Sequence, residues 1–205
     1  ARAFAELMRY LRGVDGREHT VVMVQVENEV AMIDEAADRS AAAAAAFAQP
    51  VPAALLERFP GKKPGTWLEV FGPRLAAEEM FMAWHYARYI DTVARAGKAI
   101  YPLPMLTNAA LNRPGKLPGE YPSGGPVPHL LDVWKAGAPT LDLIAPDIYF
   151  ANFVDLASRY VRPDNALFIP EANRADRPEV PANAFYAFGK LDAIGFGPFS
   201  IESLD

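Results

Sequence analysis

The chain has 205 residues, of which 51% are hydrophobic and 11% aromatic. This composition predicts a folded domain with a buried core and excludes a disordered segment. The formal net charge of −5 provides no basic surface for DNA or RNA and no attraction for anionic lipids. Cysteine is absent, which excludes disulfides, thiolate zinc sites and cysteine nucleophiles. No run of about 18 apolar residues occurs, so we expect no membrane span.

Apolar, β-branched segments alternate along the chain with segments of helical periodicity. In chain order, the pattern predicts a helix over 4–11, a strand over 21–26, a helix over 40–48, a helix over 74–96, a strand over 99–105, a helix over 127–136, a strand over 141–148, a helix over 153–160, a strand over 166–169, a helix over 182–191 and a strand over 193–199. The Pro- and Gly-rich stretches 49–72 and 113–128 are predicted to be largely irregular.

Strands that alternate with helices predict an α/β fold with one parallel sheet and right-handed crossovers. No interdomain linker interrupts the sequence, so we treat residues 1–205 as one domain. Five such strands fit either an open doubly wound sheet or the C-terminal part of a (β/α)8 TIM barrel. The spacing of the strands does not decide between these two.

Every predicted strand has polar residues at its carboxyl end, which is the end where a barrel builds its active site. These residues are Glu27, Asn28 and Glu29; Thr107 and Asn108; Asp147 and Tyr149; Glu171 and Asn173; and Ser200 and Glu202. A single polar strand end marks only the passage from strand to loop. The agreement of five strands is what predicts a site.

Two glutamates on separate strands fit the cleavage of a glycosidic bond. One carboxylic acid protonates the departing oxygen, and one carboxylate attacks the anomeric carbon. Glu29 and Glu171 are the candidates, and only the fold can bring them together because they are far apart in the sequence.

The segment VVMVQVENEV at 21–30 resembles the signature of glycoside hydrolase family 35, whose members include β-galactosidases. In the wider barrel clan of that family, an Asn-Glu pair ends the fourth strand and a Glu ends the seventh. Further segments, such as LDLIAPDIY at 141–149, YPSGG at 121–125 and FIPEANR at 168–174, resemble a bacterial subgroup that carries an additional C-terminal β-domain.

The resemblance implies a retaining β-galactosidase without a cofactor or metal, of which this chain covers barrel strands four to eight. Glu29 would be the general acid/base, Glu171 the nucleophile, and Asn28 the contact to the sugar hydroxyl beside the anomeric carbon. Further substrate contacts would come from Tyr101, Asn108, Tyr149 and Asn173. The partners implied are a galactoside or oligosaccharide, barrel strands one to three and the β-domain, in a periplasmic or secreted protein.

Local expectations follow for individual residues. Asn28 and Glu29 would point to opposite faces of a regular strand, so we predict a bulge that turns both toward the site. Glu27 is interpreted as a carboxylate buried within the barrel. Trp67, in a predicted loop, is the candidate for stacking on a sugar ring, whereas Trp84 and Trp134 lie in predicted helices and are assigned to the core.

Two departures from the family pattern leave other functions open. Ala31 stands where family members have Gly, which affects the choice of sugar, and strands one to three are missing from the chain. The alternatives are a hydrolase of the same clan acting on mannosides, glucans or arabinosides, and a non-catalytic carbohydrate-binding fragment. The three histidines have no metal-ligand spacing and are assigned to surface or core.

Overall fold

A computed structural model describes residues 1–203 as an α/β fold in which a curled parallel sheet is covered by helices. The strands are β1 (Val24–Gln25), β2 (Met105–Ala110), β3 (Leu143–Ile148), β4 (Phe168–Ile169), β5 (Glu171–Ala172) and β6 (Gly195–Phe196). Their pairings are β1 with β2, β2 with β3, β3 with β5, and β4 with β6. Each pair is parallel, as predicted from the alternation of strands and helices.

The segment that contains β4 and β5 belongs to both parts of the sheet. Only Pro170 separates the two strands; β4 pairs with β6 on one side, and β5 pairs with β3 on the other. Ile169 and Ala172 both pack in the main core, so the alternation of side chains is broken between them. Pro170 and Glu171 lie between these two core residues, and the Glu171 side chain is only half-buried.

The second strand begins later than predicted because prolines precede it. Residues 99–105 were expected to be extended, but Ile100 and Tyr101 form a turn whose amides donate to the Gly97 carbonyl. Pro102 and Pro104 have no N–H for a sheet ladder, and β2 begins after them. The strand therefore occupies 105–110, and Asn108 lies inside it rather than beyond its end.

The helices are α1 (Arg2–Asp15), α2 (Ala41–Phe47), α3 (Ala53–Leu56), α4 (Trp67–Phe71), α5 (Arg74–Lys98), α6 (Leu131–Gly137), α7 (Phe153–Ser158) and α8 (Val180–Leu191). The helix α4 falls in a stretch predicted to be largely irregular. Its sequence signal is a capping box, in which Thr66 and Glu69 satisfy each other's backbone amides. Short 3-10 turns occupy Pro128–Leu130 and Ile201–Ser203.

The long helix α5 continues through Gly97, which was expected to end it. A Cβ at Gly97 would lie 2.4 Å from the Phe4 ring of α1 and 2.9 Å from Met105. The glycine therefore allows α1 and β2 to approach α5 closely, and the helix ends one residue later, at Lys98.

The two faces of the sheet have different environments. Met105, Ala109 and Ile144 belong to the main core that the helices cover. Leu106, Leu143 and Ala145 form a small apolar cluster on the opposite face. Asn108 and Asp147 follow on from this second cluster by alternation, at the carboxyl end of the sheet. Within residues 1–203, no helix has the length and apolar character needed to cross a membrane.

Candidate active site

The chain leaves β1 through a turn with left-handed backbone conformations rather than through the predicted bulge. β1 ends at Gln25, and the φ angles of Glu27 and Glu29 are 58° and 47°. Such values are uncommon for residues other than glycine, and they occur often at functional sites. The turn leaves Asn28 exposed and Glu29 half-buried.

Asn108 connects the ends of three neighbouring strands. Its Nδ2 donates to Asn28 Oδ1 at 2.9 Å and to Asp147 Oδ2 at 2.7 Å, and its Oδ1 accepts from the Glu29 amide at 2.9 Å. Asn28 Oδ1 also accepts from the side-chain nitrogen Nε2 of Gln25 at 3.0 Å. Asn108 is fully buried, so these bonds fix the positions of Asn28 and Glu29.

The structure adds Asp147 to the predicted group of site residues. Asp147 is 2% exposed and is the register partner of Glu171 on β5. Burial raises the pKa of Asp147 to about 8, and the charges of Glu171 and Glu29 contribute to the shift. The sequence signal was its position at the end of a strand, but only the register shows that it stands beside a second carboxylate.

Glu171 is held by Tyr149, the first residue after β3. The Tyr149 hydroxyl donates to Glu171 Oε2 at 2.6 Å, and burial together with this bond raises the pKa of the hydroxyl above its usual value. The Tyr149 ring packs edge to face against Phe199 with a centroid separation of 6.0 Å. These contacts support a fixed position for the Glu171 carboxylate at the carboxyl end of the sheet.

Asn173 lies two residues beyond Glu171 and beside a cavity. The cavity has a volume of about 240 Å³ and is lined by Ile148, Phe150, Ala151, Asn173, Glu179 and Asn183. The Asn173 amide nitrogen donates to Glu179 Oε1 at 2.9 Å, and its backbone is left-handed, with a φ of 43°. Asn173 thus lies close to Glu171 in the chain, but its side chain is hydrogen-bonded to Glu179 at the start of α8.

The remaining predicted sugar contacts are not brought to this end of the sheet. Tyr101 precedes β2 at the amino end and is buried in the main core. Trp67, the candidate for stacking on a sugar, is 2% exposed and packs edge to face on Phe81, so that prediction is wrong. The reason is the unpredicted helix α4, which turns Trp67 inward; Trp84 and Trp134 are buried in the core, as expected.

Glu27 does not occupy the buried position expected for it. Its side chain is exposed, and its Oε1 accepts from the Tyr89 hydroxyl of α5 at 3.1 Å. The left-handed turn at Glu27 directs the chain away from the sheet before the carboxylate could enter its interior. The interpretation of Glu27 as a carboxylate buried within a barrel is therefore wrong.

A second polar cluster holds the loop between β2 and α6. Glu79 of α5 is buried and accepts from the Tyr121 hydroxyl at 2.8 Å, and His129 Nε2 lies 2.7 Å from its other oxygen. Two backbone hydrogen bonds join Ser123 of the same loop to Met32. The loop is thereby fixed against the segment that follows Glu29, which sequence patterns had not indicated.

Neither a metal centre nor a family match accompanies this site. In the described part of the chain, no group of three or more His, Cys, Asp or Glu side chains is placed to hold a metal ion. No protein-family model matches the chain, and no curated protein matches it significantly. The side chains at the strand ends are therefore the features that indicate a function.

Proposed function

We propose that this chain is the catalytic part of a retaining glycoside hydrolase that acts on β-D-galactosides. The observation that supports this function is the arrangement of Glu29 and Glu171 around one buried carboxyl. Glu29 follows strand β1, and Glu171 begins strand β5. The charges of both glutamates raise the pKa of Asp147. Glycoside hydrolysis requires two carboxyl groups, and enzymes with a parallel barrel place them at the carboxyl end of the sheet.

The environments of the two glutamates fit different roles in a double displacement. Glu171 is the nucleophile, because the Tyr149 hydroxyl hydrogen-bonds to one of its oxygens and thereby stabilises the carboxylate. Glu29 is the general acid/base, since its backbone is anchored to Asn108 while its side chain stays half-buried. Glu171 forms the glycosyl ester while Glu29 protonates the departing oxygen, and Glu29 then activates the water that cleaves the ester.

Asn28 is the proposed contact to the sugar hydroxyl beside the anomeric carbon. Its amide oxygen accepts from Gln25 and Asn108, so the amide nitrogen is the atom that would meet the hydroxyl. Asn28 is exposed at the strand end, where a sugar could reach it. Such bonds strengthen as the transition state forms.

The fold supports an assignment to strands four to eight of a (β/α)8 barrel. The strands are parallel, helices separate all of them except β4 and β5, and the polar cluster lies at the carboxyl end of the sheet. A complete barrel of this class also has strands one to three. The proposed enzyme would need them, because they would supply further sugar contacts.

The proposal is tested with a panel of nitrophenyl glycosides and NMR of the product. The purified protein, with barrel strands one to three present, should hydrolyse the β-galactoside faster than the mannoside, glucoside and arabinoside, and the first product should be the β-anomer. A faster reaction with another sugar would assign the protein to a different specificity within the clan. Inversion at the anomeric carbon, or no hydrolysis of any glycoside, would remove the proposed function.

A further inference from the structure

The buried carboxyl of Asp147 lies where three strand ends meet. Asp147 and Glu171 are register partners, and neighbouring strands of a sheet are separated by about 4.8 Å. On the other side, Asn108 donates to Asp147 Oδ2 and accepts from the Glu29 amide. One acidic side chain therefore stands between the two proposed catalytic carboxyls.

The second carboxyl oxygen of Asp147 indicates that a proton is held between this carboxyl and Glu29. Oδ1 is buried, and no donor group of residues 1–203 satisfies it. Asn108 holds both the Glu29 backbone amide and the Asp147 carboxyl, and a hydrogen bond with the Glu29 carboxyl contributes to the raised pKa of Asp147. Ionised carboxylates only accept hydrogen bonds, so this contact is a bond only when one of the two carboxyls carries a proton.

The groups that surround Asp147 favour the protonated form of this pair. Glu29 faces it from the turn after β1, Glu171 from β5, and Tyr149 and Tyr160 from the segments after β3 and α7. The Tyr160 hydroxyl is a neutral group that donates to the Pro126 carbonyl at 2.9 Å. The two charges that act on Asp147 are both carboxylates, and a buried carboxyl beside two of them retains its proton at neutral pH.

We infer that Asp147 and Glu29 share a single proton, which resides on Asp147 at rest and moves to Glu29 when the leaving group requires it. In the forward transfer, the O–H bond of Asp147 breaks and one forms on Glu29, which leaves Asp147 as the carboxylate. After Glu29 has taken a proton from the attacking water, the reverse transfer restores the resting pair. Asp147 is thus a positioning residue that acts through Glu29.

The sharing of the proton is a property of the folded chain, whereas its part in turnover depends on the proposed function. The first experiment therefore needs no substrate: the chain is labelled with ¹³C at the Asp carboxyls and titrated by NMR. The Asp147 signal should titrate near pH 8 rather than near the usual pH of about 4. In Glu29→Gln the midpoint should fall by about one pH unit or more, and in Glu27→Gln it should stay. Titration near the usual pH, or the same midpoint in all three proteins, would overturn the inference.

The second experiment follows kcat/KM against pH for wild type and Asp147→Asn. Asparagine has a similar shape but cannot hold the proton, so the alkaline limb should move to lower pH by about one unit or more. If Asp147 has only a structural role, Asp147→Asn would lower kcat/KM without moving the alkaline limb. That result would refute the inference even if the variant still hydrolyses the substrate. If the titration result holds and no glycoside is hydrolysed, the proton pair stands and the proposed function falls.

Discussion

Asp147 and Glu171 are register partners on adjacent parallel strands, so two acidic side chains stand next to each other at the carboxyl end of the sheet. Like charges directly opposite each other destabilise a sheet. Burial, together with the charges of Glu171 and Glu29, raises the pKa of Asp147, while Glu171 accepts a hydrogen bond from Tyr149. The arrangement is therefore a neutral acid beside a carboxylate.

Glu171→Gln should abolish turnover while the fold remains intact. The amide can still accept from the Tyr149 hydroxyl, but it cannot form the glycosyl ester that the proposed mechanism requires. Glu179→Gln is the matched control, because Glu179 is an exposed carboxylate in the loop that follows the same strand. Steady-state kinetics and circular dichroism of both variants provide the measurement. Equal activity of the two variants would show that Glu171 is not the nucleophile.

Glu29→Gln should slow hydrolysis according to the leaving group. Substrates with poor leaving groups need the proton and should lose about 10²–10⁴-fold in kcat, whereas activated nitrophenyl substrates should lose much less. Glu27→Gln serves as the control, because Glu27 lies two residues away in the same turn but hydrogen-bonds to Tyr89. The comparison is made with a disaccharide and a dinitrophenyl glycoside. Equal losses on both substrates would exclude the acid role of Glu29.

The sequence predicted the convergence of Asn28, Glu29, Asn108, Tyr149 and Glu171 because two simple rules agree. Polar residues end the apolar strands, and parallel strands present those ends at one edge. The structure brings all five to that edge. Asn108 hydrogen-bonds to Asn28 and to the Glu29 backbone amide, and Tyr149 hydrogen-bonds to Glu171. What these residues catalyse is still a proposal.

Three features were not predicted correctly, because their local geometry depends on a specific neighbour. Tyr101 was placed in a strand, but the prolines after it move the start of β2 to Met105. Trp67 was placed in a loop, because a five-residue helix has too few residues for a periodic signal. The position of Asp147 beside Glu171 requires the register of two strands, which a single sequence does not encode in any local pattern.

Asn108→Leu should destabilise the protein and disorganise the site. Leucine removes the donor to Asp147 and the acceptor of the Glu29 amide, and a buried polar group left without a partner costs about 1–3 kcal/mol. Thr107→Val is the control from the same strand, because the Thr107 hydroxyl is buried and has no partner among the described residues. Urea denaturation should give a lower free energy of unfolding for Asn108→Leu and an unchanged or higher one for Thr107→Val. A cost of the same size in both would refute the connecting role of Asn108.

Gly97→Ala should destabilise the packing of α1 on α5. The new methyl group would lie 2.4 Å from the Phe4 ring and 2.9 Å from Met105, and overpacking of this kind costs about 1–3 kcal/mol. Gly13→Ala is the opposite case, since a Cβ at this helical position meets nothing within 4 Å and should stabilise α1 by about 0.5–1 kcal/mol. Thermal unfolding of both variants tests the prediction. A rise in stability for Gly97→Ala would contradict the close approach of the two helices.

Asp147→Asn should change the pH dependence of stability in a defined direction. The usual pKa of an aspartate is near 3.8, whereas burial and the charges of Glu171 and Glu29 raise the pKa of Asp147 to about 8 in the folded chain. Between these values the folded protein keeps a proton that the unfolded chain has lost. The contribution of Asp147 is therefore fully present below about pH 4 and disappears as the pH rises to about 8.

The asparagine variant lacks this titration, so its free energy of unfolding should increase relative to wild type as the pH rises. The gain should be on the order of a few kcal/mol between about pH 4 and about pH 8. Other carboxyls act in the opposite sense: burial raises the pKa of Glu78, but hydrogen bonds from Arg39 and Arg74 lower it by more. Their contribution rises with pH in both proteins and cancels in the difference. Urea denaturation of wild type and Asp147→Asn at several pH values and constant ionic strength measures that difference. A difference that does not change with pH would show that Asp147 has the same pKa in the folded and the unfolded chain.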